Sequence, residues 1–379
     1  MEPVPPLRSG LALPRGVIIL IGLASAVVVM FGLRAVQGII APVFTALVLT
    51  ITVYPIRTWM RRKGAPSWLA TLVLVLGVYA VLGGLVVALI WGAARFATIL
   101  PQYTAEMQST IAGLKAWVAS FGIGADQIQS MLSAINSGQI VSLVSSVLGG
   151  ALGMLTLFLF IIILVLFLSV DGAVFPERMD RVRSGRAQAM NALTSFSKGT
   201  RKYFAVATVF GGIVAVLDGI ALVVFGIPGA ALWALIAFVT NYIPNIGFII
   251  GLIPVAFLAL LTGGVSTMIA IIAVYCVLNF IIQSVIQPKF VGDSVGLTTT
   301  VSFLSLIFWA YVLGPLGAIL AVPATLLAKA VLVDVDPDAH WLQLFLGDDP
   351  VHESRKERKR LKAEAAAAAP PSPPEVEQT

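Results

Sequence analysis

One stretch constrains this chain more than any other: Asn241-Tyr-Ile-Pro-Asn-Ile-Gly-Phe-Ile-Ile-Gly-Leu-Ile-Pro254. It lies inside an apolar run from about Ala230 to Leu261. Pro244 and Pro254 lack a backbone donor, and Gly247 and Gly251 relax the helix between them. In a soluble protein such a cluster belongs in a surface turn. Here the flanks are Leu, Ile, Phe, Val and Ala, which places the break at membrane depth. Irregular backbone is tolerated there only where protein buries it or where it lines a wet cavity. Interrupted segments of this kind point to a transport site. The alternative is a proline kink in an ordinary span.

Composition agrees with membrane depth. Apolar residues make up 59%, charged residues 11%, and mean hydropathy is +0.99. A soluble chain carries about 25% charged residues. The net charge of +6 is concentrated in loops and the tail, so it reports orientation before any acidic partner. The single Cys276 excludes an intramolecular disulfide and a cysteine-rich zinc site. His340 and His352 both fall beyond the last apolar run, so no histidine-based metal or catalytic cluster forms within the membrane region. A GKS/T phosphate loop is absent, and no cofactor or nucleic-acid partner is expected.

Taken in order, residues 1–16 form a polar cytoplasmic N-terminus and residues 17–333 a membrane transport domain. Spans are expected at Gly16–Leu33, Val36–Ile56, Trp68–Trp91, Val147–Val170, Tyr203–Phe225 and Val265–Ile286, besides the broken stretch and a last apolar stretch, Thr298–Val333. Residues 95–146 are milder. Ile111, Leu114 and Val118, then Ile128, Met131, Leu132 and Ile135, recur at helical spacing, which predicts amphipathic helices. Residues 171–202 form the most charged internal loop, and 334–379 read as a largely disordered tail. Basic residues at 57–63, 171–202 and in the tail place these on the cytoplasmic side, with both termini inside and 95–146 outside.

The last apolar stretch repeats the broken one. Leu235-Ile236 through Pro244, Gly247 and Pro254 parallels Leu306-Ile307 through Pro315, Gly317 and Pro323. Each is about 30 residues long, against about 20 needed to cross the hydrocarbon. Each is either one long kinked span or a re-entrant hairpin. As hairpins entering from opposite sides, they make an inverted repeat. The fold class expected is an all-α polytopic membrane protein with about eight membrane segments, two of them broken or re-entrant.

Asp218 is the acid inside a span. A carboxylate at midplane costs about 2.5–3.5 kcal/mol on insertion scales, which marks it as a candidate for ion coupling; a hydrogen-bonded acid joining two helices is the alternative. Asn279, Gln283 and Gln287 fall four residues apart and share one helix face. They read as a neutral polar lining for a small solute, or as interhelical hydrogen-bonding glue. Together with Asn241, Tyr242, Pro244, Asn245, Gly247 and Gly251 of the first break and Gly314 and Pro315 of the second, they make up the candidate substrate site. Gly292-Asp-Ser-Val-Gly296 fits the G-x-S-x-G nucleophile pattern but lacks a base within reach, so a non-enzyme is expected.

Phe238 through Pro254, then Gln287-Pro-Lys-Phe-Val-Gly-Asp-Ser-Val-Gly-Leu297, then Gly314-Pro-Leu-Gly-Ala-Ile-Leu-Ala-Val-Pro323, resemble the autoinducer-2 exporter (AI-2E, or PerM-like) family over roughly residues 15–335. The chain departs from many members at Gly296-Leu297-Thr298-Thr299, where they resemble Gly-Leu-His-Pro or Gly-Leu-Ser-Pro, and no role tied to that His or Pro is carried over. The resemblance implies eight membrane segments, export of small molecules across a bacterial inner membrane, and a homo-oligomer of pentamer type. Members have been linked both to quorum-signal export and to sodium/proton exchange. The expected function is therefore a secondary transporter exporting a small polar molecule. A cation/proton antiporter, or an oligomeric channel or scaffold without coupled transport, is the alternative.

The asymmetry of Lys and Arg makes a direct prediction. Cysteines placed at Ser109 and Ser184, in a Cys276→Ala background, should react with impermeant reagent from opposite sides of the membrane. Labelling of both from one side would contradict the expected orientation.

Overall fold

The computed structural model describes residues 14–99, 153, 156–172, 186–244, 246–287 and 297–336, with single positions at 339, 342 and 346. The described residues are helical and contain no strand. Residues 100–146, the Gly292–Gly296 motif and Asn245 lie outside them. The helices are α1 Arg15–Ala35, α2 Gln37–Arg62, α3 Ser67–Ile99, α4 Thr156–Asp171, α5 Ala187–Val224 and α6 Ala230–Thr240. They continue as α7 Gly247–Asn279, α8 Thr299–Leu313, α9 Pro315–Ile319 and α10 Ala321–Lys329. π-Helical turns follow α7 at Phe280–Ile286 and α10 at Ala330–Asp334.

By length and composition, four of the described stretches could cross a membrane: Gln37–Arg62, Ser67–Gly92, Ala187–Val224 and Gly247–Ile286. The last is not one rod. Phe248 and Gln283 line the same groove, and a straight helix would hold them about 50 Å apart. The chain turns at Gly264, whose φ of 76° and ψ of −171° suit a residue without a Cβ. We therefore treat α7 as two limbs, 247–263 and 265–279. Leu252, Val255, Leu258 and Ala259 of the first limb share one apolar core with Ile271 and Tyr275 of the second.

Both breaks expected from sequence are reversals of the chain. Helix α6 has 11 residues, about 16 Å of rise, so by itself it falls short of the hydrocarbon thickness. Its end lies against the start of α7: a Cβ on Gly251 would rest at contact distance from Thr240 and Ala237. A Cβ on Gly247 would run into the carbonyl group of Thr240. The second reversal uses the same device. Helix α8 has 15 residues and stops at Gly314, which has φ 70° and is followed by Pro315 at the first position of α9. A Cβ on Gly317 would run into the carbonyl of Trp309 and the side chain of Leu313. The Trp309 indole N–H then donates to the Thr325 hydroxyl at 2.9 Å, pinning α10 back along α8.

Helix α5 starts well before the span expected at Tyr203. Residues 187–202, part of the basic segment read as loop, form its opening turns. The cause is a buried stripe at every fourth position, Ala192, Phe196, Thr200 and Phe204, hidden among Lys198, Arg201 and Lys202. Three of the four pack with Phe44 and Val48 of α2 and Leu320, Val322 and Leu326 of the second reversal. Nearby Arg57 is only 2% exposed, and its guanidinium donates to Thr71 at 3.2 Å and Ser67 at 3.1 Å, joining α2 to α3. Leu20, Val28, Leu76, Phe167, Val216 and Val224 remain exposed, as an exterior facing hydrocarbon requires.

The close approach at the first reversal makes Gly247 and Gly251 unequal. Gly247→Ala should lower the thermal midpoint of the detergent-solubilised protein, at a cost of about 1–3 kcal/mol for overpacking. Gly251→Ala, which meets only ordinary contact distances, should leave the midpoint within experimental error.

Candidate functional site

A helix that stops leaves N–H and C=O groups that need partners. At the turn between α6 and α7 these groups are met in two ways. Some bonds are local: Ile243 N–H donates to the Thr240 carbonyl at 2.8 Å and Gly247 N–H to the Ile243 carbonyl at 3.1 Å. The Tyr242 carbonyl is met from outside, by the Tyr203 hydroxyl of α5 at 2.7 Å. Thr208, one turn further along α5, gives its single hydroxyl proton to the Phe204 carbonyl at 2.7 Å. The 2.7 Å contact between Thr208 and the Tyr242 hydroxyl is therefore one in which Tyr242 donates. The Tyr242 ring is held between Phe204 and Phe238, with centroids 5.6 and 5.5 Å away.

The adjacent residue, Asn241, reaches the second limb of α7. Gln283 donates both protons of its amide, one to Asn241 Oδ1 and one to Asn279 Oδ1, each at 2.9 Å. Asn279, buried, donates from Nδ2 to the Tyr275 carbonyl at 2.9 Å. The other side of Asn241 lies against Gly211 of α5, where a Cβ would fall 2.8 Å from the Asn241 amide nitrogen. Three carboxamides from two segments far apart in sequence thus form one cluster. Both Gln283 amide protons are used in these bonds.

Asn279 and Gln283 stand in a groove of about 490 Å³, together with Ser284, Phe248, Cys276, Val277 and Phe280. The size is that of a small-molecule site, and apolar walls around a few convergent polar groups are its usual chemistry. The residues named from sequence divide as follows. Asn241, Asn279 and Gln283 come together, and Tyr242, Gly247 and Gly251 build the turn that presents Asn241. Pro244 lies within the same turn. Gln287 follows the π-helical turn and takes no part in the cluster's bonds. That turn replaces i→i+4 bonds by i→i+5 bonds, so a spacing of four no longer stacks side chains as in an α-helix. Gly314 and Pro315 do not line the groove. Gly314 lies near Gln37 of α2, and the second reversal meets Tyr242 through an apolar cluster that includes Leu316, Leu320 and Val322.

Asp218 lies seven residues beyond Gly211 on α5 and is 1% exposed. Its Oδ1 has no hydrogen-bond partner, and neither has the hydroxyl of Tyr275, also 1% exposed. Sequence reading passed over Tyr275, Tyr203 and Thr208. Tyr275 was within reach of it, since stepping back one turn from Asn279 extends the same helix face. Tyr203 and Thr208 carried no such signal, because only the folded turn brings the Tyr242 carbonyl to them.

Comparison with known proteins places the chain. The profile of the AI-2E family transporters matches residues 23–335. The chain belongs to the AI-2E transporter family. Its similarity to individual members runs through most of both chains. It is 29% identical to YhhT of Escherichia coli K12, provisionally named a transport protein, over 332 residues, covering 88% of this chain and 95% of that one. It is 26% identical to the AI-2 transport protein TqsA of the same strain over 317 residues, covering 84% and 92%. A provisionally named transport protein of Haemophilus influenzae is 27% identical over 334 residues, covering 87% and 96%. The family match supports transport and a membrane location, and so the reading of a bilayer around the exposed apolar exterior.

Tyr203→Phe removes one hydroxyl and no volume, and leaves the Tyr242 carbonyl unpaired. It should destabilise the protein by about 1–3 kcal/mol, the cost of an unsatisfied buried acceptor, read as a fall in thermal midpoint. An unchanged midpoint would mean that water or another group satisfies that carbonyl.

Proposed function

We propose that this AI-2E family protein is a secondary transporter that exports a small, uncharged polar molecule of autoinducer-2 type across a bacterial inner membrane. The observation that carries the reading is the cluster of Asn241, Asn279 and Gln283 at the groove. Carboxamides offer donors and acceptors without charge, which suits a hydroxylated neutral solute better than a permanent ion. The name of TqsA, an AI-2 transport protein, supports the same substrate class. In this reading both reversals are re-entrant hairpins, for which the 11 residues of α6 and 15 of α8 speak. They form the two halves of an inverted repeat within about eight membrane segments, with both termini cytoplasmic. The homo-oligomer implied by resemblance belongs to the same reading.

A turn held to α7 by Gln283 also supplies a way to move. The contact consists of two hydrogen bonds and a π-helical turn, a feature frequent at functional sites. Exchanging those bonds for bonds to a solute would free the turn without exposing an unpaired backbone group, because Tyr203 continues to hold the Tyr242 carbonyl.

Gln283→Leu keeps the volume and removes the hydrogen bonds. In proteoliposomes given a panel of small hydroxylated solutes, it should lower the initial flux of the transported one about tenfold, the equivalent of roughly 1.4 kcal/mol. Its thermal midpoint should fall, because Asn279 Oδ1 loses its donor, so flux is compared per amount of folded protein. Normal flux in the variant would refute the site, and parent protein that passes none of the solutes would refute the substrate class.

A further inference from the structure

We propose that Asp218 and Tyr275 form a proton-binding site that communicates with the amide cluster through the second limb of α7. The site stands on burial and unmet hydrogen bonding. Two polar side chains are each 1% exposed and each carries an unpartnered oxygen; Tyr275 belongs to the apolar core of Trp233, Leu252 and Val255, and Leu222 of that core stands one turn beyond Asp218 on α5. Buried polar atoms are otherwise paired almost without exception, so an orphaned pair asks for something to fill it. The deepening concerns what drives transport in the reading above; the site itself does not depend on the solute.

The chemistry selects the ligand. A hard metal cation collects about six oxygens, and among the described residues no three His, Cys, Asp or Glu side chains stand together to supply them. A proton needs only one acceptor, the Asp218 carboxylate. The carboxyl group so formed gains a donor and is neutral, which the apolar surroundings favour over an unpaired charge. Charged groups that would compete are absent from the described elements around it. Helix α6 and the first limb of α7 contain no titratable side chain. The second limb contributes Tyr275 and Cys276, of which Cys276 is exposed. Helices α2 and α10, which carry Arg57 and Lys329, share a core with α5 that ends at Phe204, well before Asp218.

The link to the amide cluster is short. Tyr275 packs in the core that it shares with Leu222, one turn beyond Asp218, and presents its backbone carbonyl to the Asn279 amide. Asn279 in turn accepts from Gln283, which holds Asn241. On the facing helix, Asp218 and the Gly211 that abuts Asn241 are seven residues apart, two turns of one helix face. A change in how Tyr275 is held at Asp218 therefore acts on the same two helices that position Asn241 and Gln283.

Infrared difference spectra of the full chain in lipid, taken as pH is stepped and repeated in heavy water, test this without any solute. The expected result is a carbonyl band of a protonated carboxylic acid that titrates with pH, disappears in Asp218→Asn and moves in frequency in Tyr275→Phe. Its midpoint should shift by about one pH unit in Gln283→Leu, the size of an ordinary coupling between sites. Carbon-13 labelling of aspartate assigns the band in the parent protein should Asp218→Asn not fold. No such band, or one that survives in Asp218→Asn, overturns the proton site. A band unmoved in Tyr275→Phe overturns the pairing, and a midpoint unmoved in Gln283→Leu overturns the coupling and leaves Asp218 a structural acid. A protein that transports nothing would still yield these spectra, so failure of the transport reading and failure of this site are separate results.

Discussion

A carbonyl released by a broken helix needs a donor, and the bond from Tyr203 to the Tyr242 carbonyl is how this fold meets that demand. The rest of the centre depends on it. Once the carbonyl is held, α6 can stop in mid-chain and α7 can return alongside it. Asn241 is then carried to a fixed place opposite Gln283. Water would meet the same demand in a soluble protein at no structural cost. In lipid it obliges one helix to carry a tyrosine at one position.

The reversals share a second requirement, close approach of two backbones. At each of them a glycine occupies the position where a Cβ would strike a carbonyl seven or eight residues earlier in the chain: Gly247 against Thr240, Gly317 against Trp309. Membrane helices gain little from hydrophobic association, so contact at short range, which small residues permit, is what holds them together. The same device in two places gives the weak sequence repeat a physical content. The outcomes differ nonetheless. The first reversal presents an amide to the second limb of α7, whereas the second packs its apolar face on α2 and α5.

Much of this was legible in the residues. Apolar run lengths located the helices of the described residues, and the Pro and Gly clusters located both reversals. The spacing of Asn279 and Gln283 put two of the three amides on one face. The start of α5 was not legible, because Lys198, Arg201 and Lys202 mask a buried stripe at Ala192, Phe196, Thr200 and Phe204. Neither was the loss of Gln287 from the amide face. The run Phe280–Ile286 carries no residue that announces a π-helical turn.

What the sequence by itself determined is the solvent and its consequences. An apolar exterior, helices alone to cross it, and polar breaks that must be sheltered all follow from hydropathy and from the energy of unpaired backbone groups. What only the tertiary structure decided is who shelters them. Tyr203 and Tyr242 are 39 residues apart, and Asn241 and Gln283 are 42 apart. No local pattern relates such positions. Their partnership depends on how α5, α6 and the two limbs of α7 pack, and packing is set by the shapes of all four surfaces together.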